Sequence, residues 1–395
     1  MKIVHISMAD FNGAGLCAYR ICKAQRAMGM DSRMVVLKKK HKDDFIETYG
    51  GFTYFLYSIL RKIKKLLRIP DDFNTCRELG KLHNGVYTLP VSHIDLTRVT
   101  IIREADIIHL HWVGNFLDYR TFFETLKKKP VVATLHDENL LYGLANIEKQ
   151  LLPDNQLERK YYRLKFNEIQ KLDKFGAVFL SKMGFRLYAD HEMLSKAKKR
   201  IIYNYNMVDC GKFRPFPMLE ARKCLGLCED DMVFAFCACN INEPRKGLDE
   251  LSEALLHINP NHKVIAIGKN RGQKKWANVM ELGRISDPGE MSRIFSAANF
   301  FCMPSFKENF AQAPLEAMAC GLPVIAFPCS GTEELITDMN GVRCEAFTVE
   351  ALENGIRKAL ATQYDGTMIR NDMFERFSPE KIAGEYLDFY HELMK

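Results

Sequence analysis

Ser305-Phe-Lys-Glu308-Asn-Phe-Ala-Gln-Ala-Pro314-Leu-Glu316-Ala-Met-Ala-Cys-Gly321-Leu-Pro323-Val-Ile-Ala326 carries two glutamates eight positions apart across a strand-to-helix junction. The apolar run Phe300 to Pro304 predicts a strand, and the residues from about Ala313 to Cys320 predict a helix stopped by Gly321 and Pro323. Pro314 fits the first helical turn, where its missing N–H costs nothing. The loop Asn309, Phe310, Ala311 and Gln312 then presents backbone N–H groups at the positive end of a helix, which suits a phosphate or diphosphate. Glu308 precedes that anion site and Glu316 lies one turn inside it. Carboxylates so placed repel a phosphate at contact distance, so their partners are neutral hydroxyls on either side of it, such as a sugar ring and a ribose. A diphosphate between two sugars is a nucleotide-sugar. The plain alternative is a capped surface helix whose glutamates favour its N-terminus electrostatically.

Outward from this stretch, short β-type runs alternate with helical patterns, the signature of parallel sheets wrapped by crossover helices. The first half offers Lys2 to Ser7, Arg33 to Leu37, Ala105 to His111, Val131 to His136, Ala177 to Ser181 and Arg200 to Tyr205. The second offers Met232 to Ala238, His262 to Gly268, Val279 to Leu282, Phe300 to Pro304, Pro323 to Phe327 and Val342 to Glu345. Residues 206–217, with one Gly, two Pro and no period, read as a linker. The expected fold class is α/β, two Rossmann-like doubly wound domains facing each other across a cleft. Ligands of such sheets sit at the carboxyl ends of the strands.

The chain has 395 residues, 47% hydrophobic and 27% charged, enough for two globular domains. Its net charge of +7 fits polyanionic ligands or an acidic membrane face. No window of about twenty apolar residues occurs, and the first strand begins directly, so a cytoplasmic location is expected. The twelve cysteines are scattered without zinc-site spacing and read as free thiols. No metal and no cofactor are expected.

Residues 41–92 break the α/β rhythm. Within them, 52–68 places Ser58, Arg61, Lys62, Lys64, Lys65 and Arg68 on one side of a helix, with aromatic and aliphatic residues on the rest. Two readings stand: a helix lying on an anionic membrane, or an ordinary surface helix with a solvated basic face.

The whole string from Glu308 to Ala326 resembles the signature of retaining glycosyltransferases of family 4 (glycosyl transferases group 1), in which two glutamates precede an Ala-Met-Ala-Cys-Gly-x-Pro-Val-Ile-Ala run. The resemblance is strong from 232 to 346 and loose before 210. It implies a GT-B fold with an acceptor domain over 1–205, a donor domain over 206–378, and a helix over 379–395 that packs back on the first domain. It also marks further residues. Arg245-Lys246-Gly247 resembles the family's Lys-Gly helix start, which implies that Lys246 binds the donor phosphate. The family's upstream Gly-Arg is replaced by Cys239-Asn240, so Arg245 is assigned the arginine's role. His136, after a buried strand, matches a donor-sugar histidine; His109 and His111 end the neighbouring strand and read equally as wall or as function. Gly13 and Gly15, after the first strand, let a backbone approach a ligand. They lack the rest of a dinucleotide fingerprint, which argues against a dehydrogenase. Gly268, Arg284 and Ile285 match the loops where the base and ribose rest. The string around Gly15 resembles members that build capsule, O-antigen or exopolysaccharide repeats.

The resulting expectation is a metal-independent, retaining transfer from a nucleotide diphosphate sugar to a hydroxyl of a glycan or lipid-linked glycan. Lys246 and Arg245 would stabilise the departing diphosphate with the N–H groups of Phe310, Ala311 and Gln312. Glu308 and His136 would hold the sugar, and Glu316 the ribose. Asn309 completes the donor loop. Nucleic acid is not an expected partner. A nucleotide-sugar epimerase of the same fold, or a donor-binding subunit without turnover in a polysaccharide assembly complex, are the alternatives.

Overall fold

The computed structural model describes residues 1–11, 13–83, 85–203, 208, 211–308 and 311–395. Asn12, Asn309, Phe310 and most of 204–210 therefore lie outside the described residues. The chain forms two compact units. The first comprises Met1–Leu180, Gly184–Asn204 and Ile382–Lys395; the second comprises Ser181–Met183 and Tyr205–Lys381.

The first unit holds a seven-stranded sheet of β1 (Lys2–Ala9), β2 (Asp31–Lys38), β3 (Ile46–Thr48), β4 (Ile107–Leu110), β5 (Val131–Thr134), β6 (Phe175–Phe179) and β7 (Lys198–Ile201). Its order is β3-β2-β1-β4-β5-β6-β7, with every pairing parallel. β4, β5 and β6 are buried at every residue, as strands covered on both faces by helices must be. The strand order reverses between β1 and β4, and the carboxyl ends of strands at such a reversal are where ligands of these sheets bind. Gly15 lies in the helix Gly13–Ala27 that follows β1, and a Cβ there would stand 2.2 Å from the Ala9 carbonyl oxygen. Only glycine lets that helix start so close to the strand it leaves.

The second unit repeats the plan with β8 (Val233–Asn240), β9 (Lys263–Lys269), β10 (Val279–Gly283), β11 (Phe300–Met303), β12 (Val324–Ala326) and β13 (Gly341–Arg343). The order is β10-β9-β8-β11-β12-β13, again all parallel, with its reversal between β8 and β11. The fold class is α/β with two Rossmann-like sheets.

Two expectations need correction. β3 is a strand inside the segment read as irregular, pairing Ile46 with Met34 at the sheet edge. The basic helix forms, as Gly51–Leu66, but part of its basic side is taken up in contacts with a neighbouring segment. The Arg61 guanidinium is half-buried 3.5 Å over the Phe73 ring. Lys64 pairs with Asp71 at 3.2 Å and Lys65 with Glu78 at 2.7 Å, both on the neighbouring segment around the helix Asp72–Leu82. Its apolar side faces water as well: Phe52 is 74% exposed and Leu66 82%, with Phe55, Leu56, Ile59 and Ile63 exposed between them. Among the described residues, no helix is long and apolar enough to cross a membrane.

Candidate active site

The reversal between β8 and β11 brings two loops together. The first leaves β8 and makes a short 3-10 turn, Pro244–Lys246, before Gly247 at φ 76° starts the helix Leu248–Ile258. Arg245 and Lys246 thus sit in a turn of their own rather than opening the helix, as the sequence suggested. The second loop leaves β11 through Pro304. A Cβ on Gly247 would stand 2.0 Å from the Pro304 carbonyl oxygen, so glycine is what allows the two loops to touch. The Phe306 N–H donates to the Arg245 carbonyl at 2.9 Å, and the Arg245 guanidinium donates to the Lys307 carbonyl at 2.5 Å.

Glu308 lies where this contact delivers it. Lys246 Nζ forms an ion pair with its carboxylate, and Arg245 Nη1 stands 3.6 Å from the same oxygen. Arg245 is also held by Glu243 at 2.9 Å. The Lys246 and Glu308 side chains are 17% and 15% exposed, screened from water yet reachable. Such a cluster can trade the carboxylate for a phosphate, since the cations attract either anion, and the displaced carboxylate is then free to accept from a neutral hydroxyl.

The helix foreseen after this loop is Gln312–Ala319, so Gln312 is its first residue rather than part of the loop. Ala311 precedes it in extended conformation and offers no side-chain cap of its own. Glu316 is half-buried in a helix whose other inner residues, Leu315, Ala317 and Met318, are fully buried. Desolvation pushes the Cys237 thiol on β8 up to about 12; Glu316 adds to that shift and Lys246 opposes it, so both charges act at the end of this strand. Gly268 is within β9, where a Cβ would stand 1.8 Å from the Ala238 carbonyl, and Arg284 and Ile285 follow β10.

In the first unit His136 follows β5 and is buried. The loop after it is propped from below. Buried Lys165 donates to the carbonyls of Asn139 at 2.6 Å and Tyr142 at 2.7 Å, and the Glu158 carboxylate accepts from the N–H groups of Gly143, Leu144 and Ala145. His136 Nε2 lies 2.9 Å from His111 Nδ1, and His111 Nε2 lies 3.0 Å from His5 Nδ1. His5 was not singled out from sequence; one polar residue in an apolar strand carries no signal until the neighbouring strands are in register. Nitrogens of His5, His109 and His111 lie within 4.8 Å of one another, the spacing of a metal site. However, both His109 nitrogens already bond Tyr390 and Thr134, and both His5 nitrogens bond Gln25 and His111. The set is satisfied as a hydrogen-bond network.

Residues 234–376 match the family described as "Glycosyl transferases group 1". The second unit therefore contains a glycosyl transferases group 1 domain, and the chain has the GT-B type of fold. The D-inositol 3-phosphate glycosyltransferases of Segniliparus rotundus and Actinosynnema mirum are 29% and 31% identical over 171 and 218 residues. Those alignments cover 39% and 47% of this chain and only 38% and 52% of the two relatives. A GDP-mannose:cellobiosyl-diphosphopolyprenol alpha-mannosyltransferase of Xanthomonas campestris is 21% identical over 99% of this chain and 97% of its own. Among solved structures, sucrose-phosphate synthase from Thermosynechococcus elongatus superposes with TM-score 0.68 at 19% identity, covering 100% of this chain and 99% of the other. Anabaena Alr3699/HepE in complex with UDP-glucose superposes with TM-score 0.63 at 16% identity, covering 99% and 100%.

Proposed function

We propose that the protein is a glycosyltransferase that moves a sugar from a nucleotide diphosphate sugar to a hydroxyl of a glycan or lipid-linked glycan, with retention of anomeric configuration. The observation that carries this reading is the Arg245–Lys246–Glu308 cluster at the strand-order reversal of a glycosyl transferases group 1 domain. The mannosyltransferase relative, whose named acceptor is a diphosphopolyprenol, favours a lipid-linked acceptor.

In this reading the bond from the anomeric carbon to the diphosphate breaks, and the diphosphate leaves with the electron pair. Lys246 and Arg245 take up its charge, which is where fixed cations act most strongly. The acceptor oxygen forms the new bond to the same carbon, and its proton passes to a diphosphate oxygen. Ala311 and Gln312 add backbone N–H groups; Asn309 and Phe310 are assigned to the same loop. Glu308 positions the sugar, Glu316 the ribose, and His136 hydrogen-bonds a sugar hydroxyl. Gly13, Gly15, Gly268, Arg284 and Ile285 shape the donor subsites. No side-chain nucleophile is needed, because orientation and leaving-group stabilisation supply the rate.

The exposed apolar side of the helix Gly51–Leu66, bordered by Lys62 and Arg68, is assigned to the surface of an anionic membrane. There it would meet a lipid-linked acceptor.

Thermal shifts with a panel of nucleotide-sugars test the donor assignment, because a bound donor raises apparent stability by mass action. Product analysis with and without acceptor follows. Alteration of the free nucleotide-sugar without acceptor would replace this reading with an epimerase, and binding without turnover would leave a donor-binding subunit.

A further inference from the structure

His5 on β1 and His109 on β4 are register partners, so they project from the same face of the sheet, and His111 follows two residues later on that face. Two helices supply polar groups to the same layer: Gly13–Ala27 brings Gln25, and Pro379–Met394 brings Tyr386 and Tyr390. All of these side chains are buried.

The hydrogens of His5, His111 and His136 are ordered from a single amide. Gln25 Oε1 accepts from the Ser32 hydroxyl at 2.8 Å and faces His5 Nε2 at 2.9 Å. An amide oxygen only accepts, so His5 carries its proton on Nε2 and its Nδ1 is the lone-pair nitrogen. That Nδ1 faces His111 Nε2, which must donate; His111 Nδ1 then accepts from His136 Nε2. The other end of the amide, Nε2, donates to the Tyr390 hydroxyl at 3.4 Å. The Tyr390 hydroxyl lies 2.6 Å from His109 Nδ1. His109 Nε2 lies 2.8 Å from the Thr134 hydroxyl, itself 3.0 Å from that of Tyr386, and these hydroxyls let that branch run in either direction. Reversing His5, His111 or His136 alone would set two lone pairs or two hydrogens against each other, so the order propagates along these three rings. Burial keeps the rings neutral, holding His5 down at about 4 and His136 at about 3, with His109 and His111 also well below the usual range.

We propose that Gln25 is a positioning residue which, through His5 and His111, makes Nδ1 the acceptor nitrogen of His136. A sugar hydroxyl that reaches this nitrogen, which is shielded from water in the structure, would then donate to it rather than accept from it. This last step rests on the donor assignment made above; the ordering of the rings does not.

The test is long-range 1H–15N correlation on protein labelled at histidine, comparing the unaltered chain with Gln25→Glu and Gln25→Met. The expected result is an unprotonated Nδ1 on His136 in the unaltered protein and in Gln25→Glu, which keeps an acceptor facing His5. Gln25→Met removes the amide and should let His136 populate both tautomers, with kcat/KM for the donor falling about tenfold, the worth of one hydrogen bond. A protonated Nδ1 in the unaltered protein overturns the proposal even if the Met variant fails to fold. So does an unchanged His136 tautomer in a folded Met variant. A tautomer that follows Gln25 while kcat/KM stays constant upholds the ordering and removes His136 from the donor site.

Discussion

Lys246 and Glu308, 62 residues apart, are joined as an ion pair where the turn after β8 meets the loop after β11. The pair holds Lys246, the cation proposed to bind the donor phosphate, against a carboxylate, so in that reading an arriving diphosphate competes with Glu308 for it. Glu308→Gln removes the competitor. Affinity for free nucleoside diphosphate, read by calorimetry with UDP and GDP, should hold or rise, while sugar transfer falls at least about tenfold because the donor sugar loses its carboxylate. Weaker diphosphate binding in the variant would show that Glu308 supports the anion rather than opposing it.

Glu316→Ala and Lys246→Ala should damage donor use far more than the fold. Neither side chain is fully buried, so truncation removes ligand contacts and leaves the core of Leu315, Ala317 and Met318 intact. Melting temperatures within a few degrees of the unaltered protein, with kcat/KM reduced by about a hundredfold or more, are expected. Variants that unfold yet keep activity in proportion to their folded fraction would refute the assignment.

Transfer should survive excess EDTA. Two cations and a helix start suffice to neutralise a diphosphate. Activity abolished by the chelator and restored by magnesium or manganese would require a metal in the reaction.

The helix Gly51–Leu66 should bind anionic vesicles chiefly through its apolar side. Phe52→Ser with Leu56→Ser and Ile63→Ser should abolish sedimentation with vesicles, whereas replacing Arg61, Lys62, Lys64, Lys65 and Arg68 with Gln should make it weaker and less sensitive to salt. Each cation near the surface contributes on the order of 1 kcal/mol. Donor affinity should not change in either variant. An unaltered protein that stays in the supernatant with anionic lipid at low salt would leave this helix without a membrane role.

Acid should unfold the first unit early. His5, His109, His111 and His136 bind protons more weakly when folded than the 6.5 of an exposed imidazole, so the unfolded chain takes up the extra protons as pH falls. The stability that depends on their neutrality is complete above 6.5 and is lost below it, at about 1.4 kcal/mol per pH unit for each ring, down toward 4 for His5 and 3 for His136. Urea midpoints measured from pH 7.5 to 5 should show a steep fall, shallower by about one proton in His109→Gln. Equal slopes in the two proteins would mean that the ring does not remain neutral.

Much of the fold was legible because strands buried on both faces, such as β4, β5, β6 and β11, are plain apolar runs; the more exposed β7 shares only Arg200 and Ile201 with the run read there. β3 was not, since three residues at a sheet edge carry no period. In the helix Gly51–Leu66 amphipathicity was visible but the contacts of its basic side were not. Those depend on Phe73, Asp71 and Glu78, which meet Arg61, Lys64 and Lys65 from a neighbouring segment. The string around Glu308 pointed to an anion site, yet the pairing of Glu308 with Lys246 depends on how closely Gly247 approaches Pro304, a distance no spacing encodes. The histidine chain was hidden for the same reason: His5 meets His109 only through strand register, and Gln25 reaches them from a helix.

The residues Ile382–Lys395, which complete the first unit, are translated after the whole second unit. Until they emerge, His109 and Thr134 lack their tyrosine partners, and the sheet face that will receive Tyr386, Phe389 and Tyr390 stands open. At ribosomal speeds of about 5–20 residues per second, that gap of roughly 180 residues lasts on the order of ten to forty seconds. Through that interval the nascent first unit is a natural client for a chaperone that shields apolar surface, and its maturation waits on the birth of its neighbour.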